Sequence, residues 1–193
     1  SERRKTRKKS IFAKKYQTHY FPIYKRGVKF MKKIKNPWLP LIGKGYNCFA
    51  CAPCNPYGLK MEFYEDGEDI VSLWTPDDNY QGWLDTLHGG IQATLLDEIG
   101  GWIIARKFQT SGMTTNLNIK YKKPIPTGKD ITIEIRARVK EIKRMFIFIE
   151  AEIRYEGVVR SSAEMTYYTF SKDVAEKDFM FTGCELEEET NNE

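Results

Sequence analysis

The stretch from Gly90 to Lys107 constrains this chain most, because Ile91, Ala93, Leu95, Leu96, Ile99, Trp102, Ile103, Ile104 and Ala105 leave a helix there almost no continuous polar face. Such a helix must be surrounded by protein. It is introduced by His88-Gly89-Gly90 and carries Asp97 and Glu98 in its middle. The opening turn of a helix leaves its N–H groups unpaired and partly positive, a setting suited to a developing oxyanion. A carboxylate on a buried helix costs several kcal/mol, roughly the desolvation of an unpaired polar group, so Asp97 needs partners or a task. The alternative is that Asp97 and Glu98 face a wet edge of the helix.

The spacing carries a further consequence. Asp97 lies eight residues after Gly89, which at 1.5 Å per residue separates them by about 12 Å along the axis. A base or nucleophile must come within roughly 3 Å of the reacting atom or its attacking water. If both groups serve one substrate, Asp97 must come from a second copy of the chain, across a two-fold interface with helices side by side.

The surrounding segments read as strands. Leu59–Tyr64 and Ile70–Trp74 alternate around Glu65-Asp66-Gly67-Glu68-Asp69 and predict a hairpin. A loop from Thr75 to Leu87 leads to the helix. Four strands are expected after it, over Thr114–Lys122, Asp130–Lys140, Arg144–Tyr155 and Val158–Phe170. In the second, Ile131, Ile133, Ile135, Ala137 and Val139 share a face; in the third, Met145, Ile147, Ile149, Ala151 and Ile153 do. The fold class is therefore α+β, one long helix against about six antiparallel strands. Gly100 and Gly101 in mid-helix each cost about 1 kcal/mol relative to Ala, which makes sense if backbone must lie close to the sheet.

Net charge is +5 over 193 residues, but residues 1–35 hold 14 Lys or Arg against Glu2 alone, leaving the remainder at −8. We expect a basic arm over 1–35, one domain over 36–175 and an acidic tail over 176–193. The arm suits an anionic surface or nucleic acid, an organellar transit segment, or, since Met31-Lys32-Lys33 reads like a translation start, an upstream extension of residues 1–30. No apolar run approaches the roughly 20 residues of a membrane span. The chain is expected to be soluble and cytoplasmic, with organellar residence the alternative. Cys48, Cys51 and Cys54 form C-x2-C-x2-C, a spacing at which thiolates share a metal, but a fourth ligand is missing from the pattern. A turn lined by reduced thiols is the favoured reading, with no metal and no cofactor expected.

Three stretches together resemble the hotdog-fold thioesterases of the PaaI-like group. They are Cys48-Phe49-Ala50-Cys51 with Asn55-Pro56-Tyr57-Gly58-Leu59; Gln81-Gly82-Trp83 with His88-Gly89-Gly90 and Leu95-Leu96-Asp97-Glu98; and Thr114-Thr115-Asn116-Leu117-Asn118-Ile119 ending in Tyr121-Lys122-Lys123-Pro124. The likeness spans about residues 47–170 and implies a curved antiparallel sheet wrapped around a central helix. It implies that the Gly89 N–H polarises a thioester carbonyl while His88 fixes the turn, and that Asp97 is nucleophile or general base. Thr114 is then expected to position the attacking water, with Gln81 near the carbonyl or the water. Gly90, Thr115, Asn116, Lys122 and Lys123 are expected along the substrate, an acyl-CoA. The implied assembly is a homodimer or homotetramer, and nucleic acid is not an expected partner. The chemistry fits on its own terms: a thiol leaves readily, so stabilising an oxyanion and delivering oxygen suffice. Rival readings are a non-catalytic acyl-CoA-binding module and a hotdog hydratase or dehydratase.

Overall fold

A computed structural model of the chain describes residues 31–188. The expectations for residues 1–30 and for the last five residues lie outside that range. Two short strands open the fold, β1 (Lys32–Lys33) and β2 (Tyr64–Asp66), followed by β3 (Asp69–Trp74) and a small ribbon of β4 (Gln81–Trp83) and β5 (Thr86–Leu87). The helix α1 (Gly89–Ile103) continues through a π-helical turn at Ile104–Phe108. Then come β6 (Gly112–Tyr121), β7 (Ile133–Lys143), β8 (Phe146–Tyr155), β9 (Val158–Thr169) and α2 (Lys172–Phe179). Seven strands make one antiparallel sheet in the order β1-β2-β3-β7-β8-β9-β6. α1 lies across β3 and β6 to β9, the arrangement of a hotdog fold.

Alternation in the sequence sets which face meets α1. Ile133, Ile135 and Ala137 on β7 and Ile147, Ile149, Ala151 and Ile153 on β8 are buried, in register as Ile135 opposite Ile153 and Ala137 opposite Ala151. Their neighbours carry charge outward, where the Arg136 guanidinium pairs with Asp69 at 2.7 Å and Asp66 at 2.8 Å. From the helix, Leu95, Leu96, Ile99 and Ile103 are 0% exposed, each contributing on the order of 1.5–3 kcal/mol of apolar burial. Gly100 lets α1 approach this closely, since a Cβ there would strike Met165 Sδ and stand 2.8 Å from the Tyr167 ring. At Gly101 the same addition meets only Tyr167 Oη at 3.8 Å. The helix stops at Gln109, in the left-handed region with φ 52°, after Arg106 and Lys107 have placed positive charge at its C-terminal end. Both reach Glu65, at 2.9 and 3.3 Å.

Several expectations need correction. Leu59 to Phe63 forms no strand; Leu59 and Met61 donate their N–H groups to Phe49 and Ala50 of the preceding loop instead. Pairing with β3 begins only at Tyr64. Met145 sits in the β7–β8 turn and is exposed rather than sharing the buried face. The expected domain limits, 36 and 175, are both too narrow. Ile34 is buried, residue 175 falls inside α2, and Phe181 and Cys184 are core. Residues 185–187 pair back alongside Lys33–Lys35 through Lys35 N–H to Glu185 O and Glu187 N–H to Lys33 O, both 2.8 Å.

Candidate active site

Two groups of polar atoms sit at different points along α1. At its start, His88 is the cap residue, extended at φ −60° and ψ 135°, and its Nδ1 accepts the Gly90 N–H at 2.8 Å. That nitrogen therefore carries no proton, and the imidazole acts as a fixed cap. The His88 carbonyl takes the Ile91 and Gln92 N–H groups, each at 3.1 Å. Among the described residues nothing accepts from the Gly89 N–H, which is one of the unpaired donors at the positive end of the helix. Gly90, expected along the substrate, has its N–H engaged by His88.

The β4–β5 ribbon positions this turn. Gln81 pairs with Leu87, and the Tyr80 carbonyl accepts the His88 N–H at 2.9 Å. A Cβ on Gly82 would come within 2.9 Å of His88, so only glycine lets the ribbon lie against the cap. Gln81 thereby sits beside the cap, its Nε2 donating to Thr127 Oγ1 at 3.3 Å. Tyr121 Oη donates to the Gly89 carbonyl at 3.0 Å. Its ring flanks Gly89, a neighbour that strand alternation alone does not reveal.

Farther along, Asp97 Oδ1 accepts from Thr114 Oγ1 at 2.6 Å and from Tyr167 Oη at 3.2 Å. Tyr167 Oη also donates to the Asp97 carbonyl at 2.5 Å. Burial, then the Asp97 charge, pushes the Tyr167 phenol well above its ordinary range, so it remains a donor. Asp97 Oδ2 accepts no hydrogen bond among the described residues. One oxygen is thus clamped and the other free. Thr114 spends its proton on the carboxylate, so it orients the acid and can meet water only as an acceptor. Tyr167 was not foreseen; its place on β9 opposite Thr114 is a matter of register.

Asp97 and Thr114 line a cavity of about 350 Å³ with Glu98, Trp102, Cys48 and Cys51. The Glu98 carboxylate accepts from Trp102 Nε1 at 3.0 Å. Burial pushes it up to about 7, with the Cys48 thiol adding to the effect. Trp102 stacks on Phe63 at 4.2 Å. Of the other tryptophans, Trp74 is core, with Nε1 donating to Leu59 O, and Trp83 is exposed.

The remaining expected residues lie on or beside the β6 strand. Thr115 sits at a bulge with Oγ1 donating to Thr166 O at 3.0 Å, and Asn116, Lys122 and Lys123 are exposed. Lys122 and Lys123 are held through their backbone N–H groups on the Arg160 carbonyl. One chain therefore does not unite the two halves, because Gly89 and Asp97 stand about 12 Å apart along α1.

Residues 84–162 match the sequence model of the thioesterase superfamily. Over 120 residues the chain is 29% identical to Acyl-coenzyme A thioesterase THEM4 of Rattus norvegicus, covering 60% of this chain and 51% of that protein. It thus spans about half the length of the curated relatives it matches. The structure of smu.793 from Streptococcus mutans bound to acetyl CoA superposes with a TM-score of 0.53 at 18% identity, covering 58% of this chain and 90% of that one. The E. coli PaaI protein gives 0.53 at 15% identity, with 59% and 82% covered. The free amide at the head of α1, the clamped acid farther along it and these likenesses agree: the described residues adopt a hotdog fold, and residues 84–162 are similar to the thioesterase superfamily.

Proposed function

We propose that the protein hydrolyses an acyl-CoA thioester to the free acid and CoA, at a site assembled from two copies of the chain. The observation that carries this reading is the half-occupied Asp97 carboxylate, with Oδ1 clamped by Thr114 and Tyr167 and Oδ2 unengaged. A hydratase needs an acid and a base converging on the carbons beside the carbonyl. Here the only histidine among the described residues, His88, spends Nδ1 on a cap. The likeness to proteins named as acyl-CoA thioesterases, and to a fold solved with acetyl CoA, supports the substrate class.

In this reading the thioester carbonyl oxygen accepts from the Gly89 N–H of one protomer, where the helix dipole favours negative charge. Asp97 Oδ2 of the other protomer takes a proton from water as the hydroxide oxygen bonds to the carbonyl carbon. The tetrahedral intermediate collapses, the C–S bond breaks, and the thiolate of CoA leaves, taking its proton from Asp97 or solvent. Direct attack by Asp97 gives the same products through a mixed anhydride. In the same reading, exposed Lys122 and Lys123 would attract the phosphates of the carrier.

The test is a hydrolysis screen over short, medium, long and aromatic acyl-CoAs with wild type and Asp97→Ala in parallel. At least one substrate should turn over in wild type. Asp97→Ala should lower kcat by about 100-fold or more while leaving acyl-CoA binding measurable by calorimetry. Equal turnover in the variant, or binding with no hydrolysis across the series, would sink the proposal, the latter in favour of a binding module.

A further inference from the structure

The C-x2-C-x2-C run is not used by the proposed reaction, and the fold splits it. Cys54 is exposed, its Sγ 3.7 Å from the Tyr46 carbonyl. Cys48 and Cys51 instead turn inward onto α1, where their Sγ atoms and a Glu98 carboxylate oxygen all lie within 4.8 Å of one another. Cys48 Sγ stands 3.8 and 3.9 Å from the two Glu98 oxygens. Among the described residues no Lys, Arg or His pairs with Glu98. A part-buried carboxylate beside two thiols and no cation is an uneven distribution of charge.

We propose that Cys48, Cys51 and Glu98 form a binding site for a thiophilic divalent cation of the zinc class. Its fourth position opens into the cavity that also holds Asp97. A tetrahedral ion with bonds of about 2.3 Å to sulfur and 2.0 Å to oxygen holds its sulfurs about 3.8 Å apart and sulfur and oxygen about 3.5 Å apart. The observed spacings need contract only by tenths of an ångström to about one. Binding releases the thiol protons of Cys48 and Cys51 to solvent as two S–metal bonds form.

A further polar group stands beside the sulfurs. Tyr46 Oη lies 3.1 Å from Cys51 Sγ and already accepts from Asn36 Nδ2 at 2.9 Å, so its proton is available to the sulfur. The loop itself is pinned by Leu59 and Met61 N–H groups on the Phe49 and Ala50 carbonyls, at 2.8 and 2.9 Å. The third ligand is thus a residue on the central helix, and the ion ties the loop that carries Cys48 and Cys51 to the turn of α1 that carries Asp97.

The site is tested by metal binding, which stands apart from any outcome of the hydrolysis screen. The full chain, kept reduced with a phosphine, is titrated with Co2+ alone and then with Zn2+. One equivalent of Co2+ should give the intense thiolate-to-metal absorption of a tetrahedral site, and Zn2+ should remove it. Cys48→Ser and Cys51→Ser should each weaken binding by more than about 100-fold, beyond the loss of an outer-shell partner. Glu98→Gln should weaken it at least about tenfold, while Cys54→Ser and Cys184→Ser bind as wild type. Circular dichroism establishes that each variant is folded. A reduced wild type without the absorption overturns the site, as does a loss in Cys54→Ser equal to that in Cys48→Ser. Binding indifferent to Glu98→Gln overturns the three-ligand assignment.

Discussion

A site shared between two copies can be tested by mixing two inactive variants. Gly89→Pro removes the proposed carbonyl donor with little change in shape. Gly89 is the first helical residue, where proline is well accepted, and His88 before it is extended at ψ 135°, as a residue preceding proline must be. The nearest atom to an added Cβ is in the Tyr121 ring, at an ordinary 3.5 Å. Losing one oxyanion donor should lower kcat by about 100- to 1,000-fold, and Asp97→Ala by a comparable factor. Each protein alone is then almost inactive. In a dimer of one Gly89→Pro and one Asp97→Ala chain, one site carries both defects and the other carries neither. Random reassortment places half the dimers in this mixed state, so the pooled sample should recover about a quarter of wild-type activity per chain. The assay is steady-state thiol release after co-refolding equal amounts, with exchange verified by differently tagged chains. Asp97→Ala mixed with Asp97→Asn is the control and should stay inactive. Verified mixed dimers no more active than their parents would refute the 12 Å argument and place the reaction within one chain.

The two mid-helix glycines should respond oppositely to alanine. Both substitutions gain about 1 kcal/mol of helix propensity, but at Gly100 the new methyl strikes Met165 and Tyr167, overpacking worth about 1–3 kcal/mol. In urea, Gly101→Ala should unfold later than wild type and Gly100→Ala earlier than Gly101→Ala; coincident midpoints would deny the close approach. Phe181 is 5% exposed and packs on Trp38. Phe181→Ala should therefore cost about 3–5 kcal/mol, lowering Tm by roughly 6–20 °C. An unchanged Tm in thermal unfolding would return that segment to the status of a solvated tail.

Periodicity made the central helix and the long strands legible, because apolar residues recur at the right spacing along each, and on β8 and β9 the buried face alternates over most of the strand. Asp97 stood out in the sequence as a charge within an apolar run, and in the structure it lies on the partly exposed side of α1 with Gly90, Thr94 and Glu98. Leu59–Tyr64 alternates like a strand, yet its backbone bonds go to the loop before it, and alternation does not say which neighbour supplies the partner. Tyr167 and Tyr121 were missed because each acquires its role from register, Tyr167 by standing opposite Thr114 and Tyr121 by ending the strand beside Gly89. The C-terminal segment misled because Glu185, Glu187 and Glu188 dominate its composition. Phe181, Cys184 and the backbone bonds to Lys33 and Lys35 decide its structure.

The return of residues 185–187 to the flank of β1 also bears on how far copies of this chain can associate. That segment occupies one border of the seven-stranded sheet with the chain's own backbone, while β6 remains at the opposite border. Among the described residues the long unpaired border is therefore β6, the other ending in a short bridged segment. If two molecules were to join there in antiparallel fashion, each would use up the other's vacancy, and growth would halt at a pair instead of running on into a fibre.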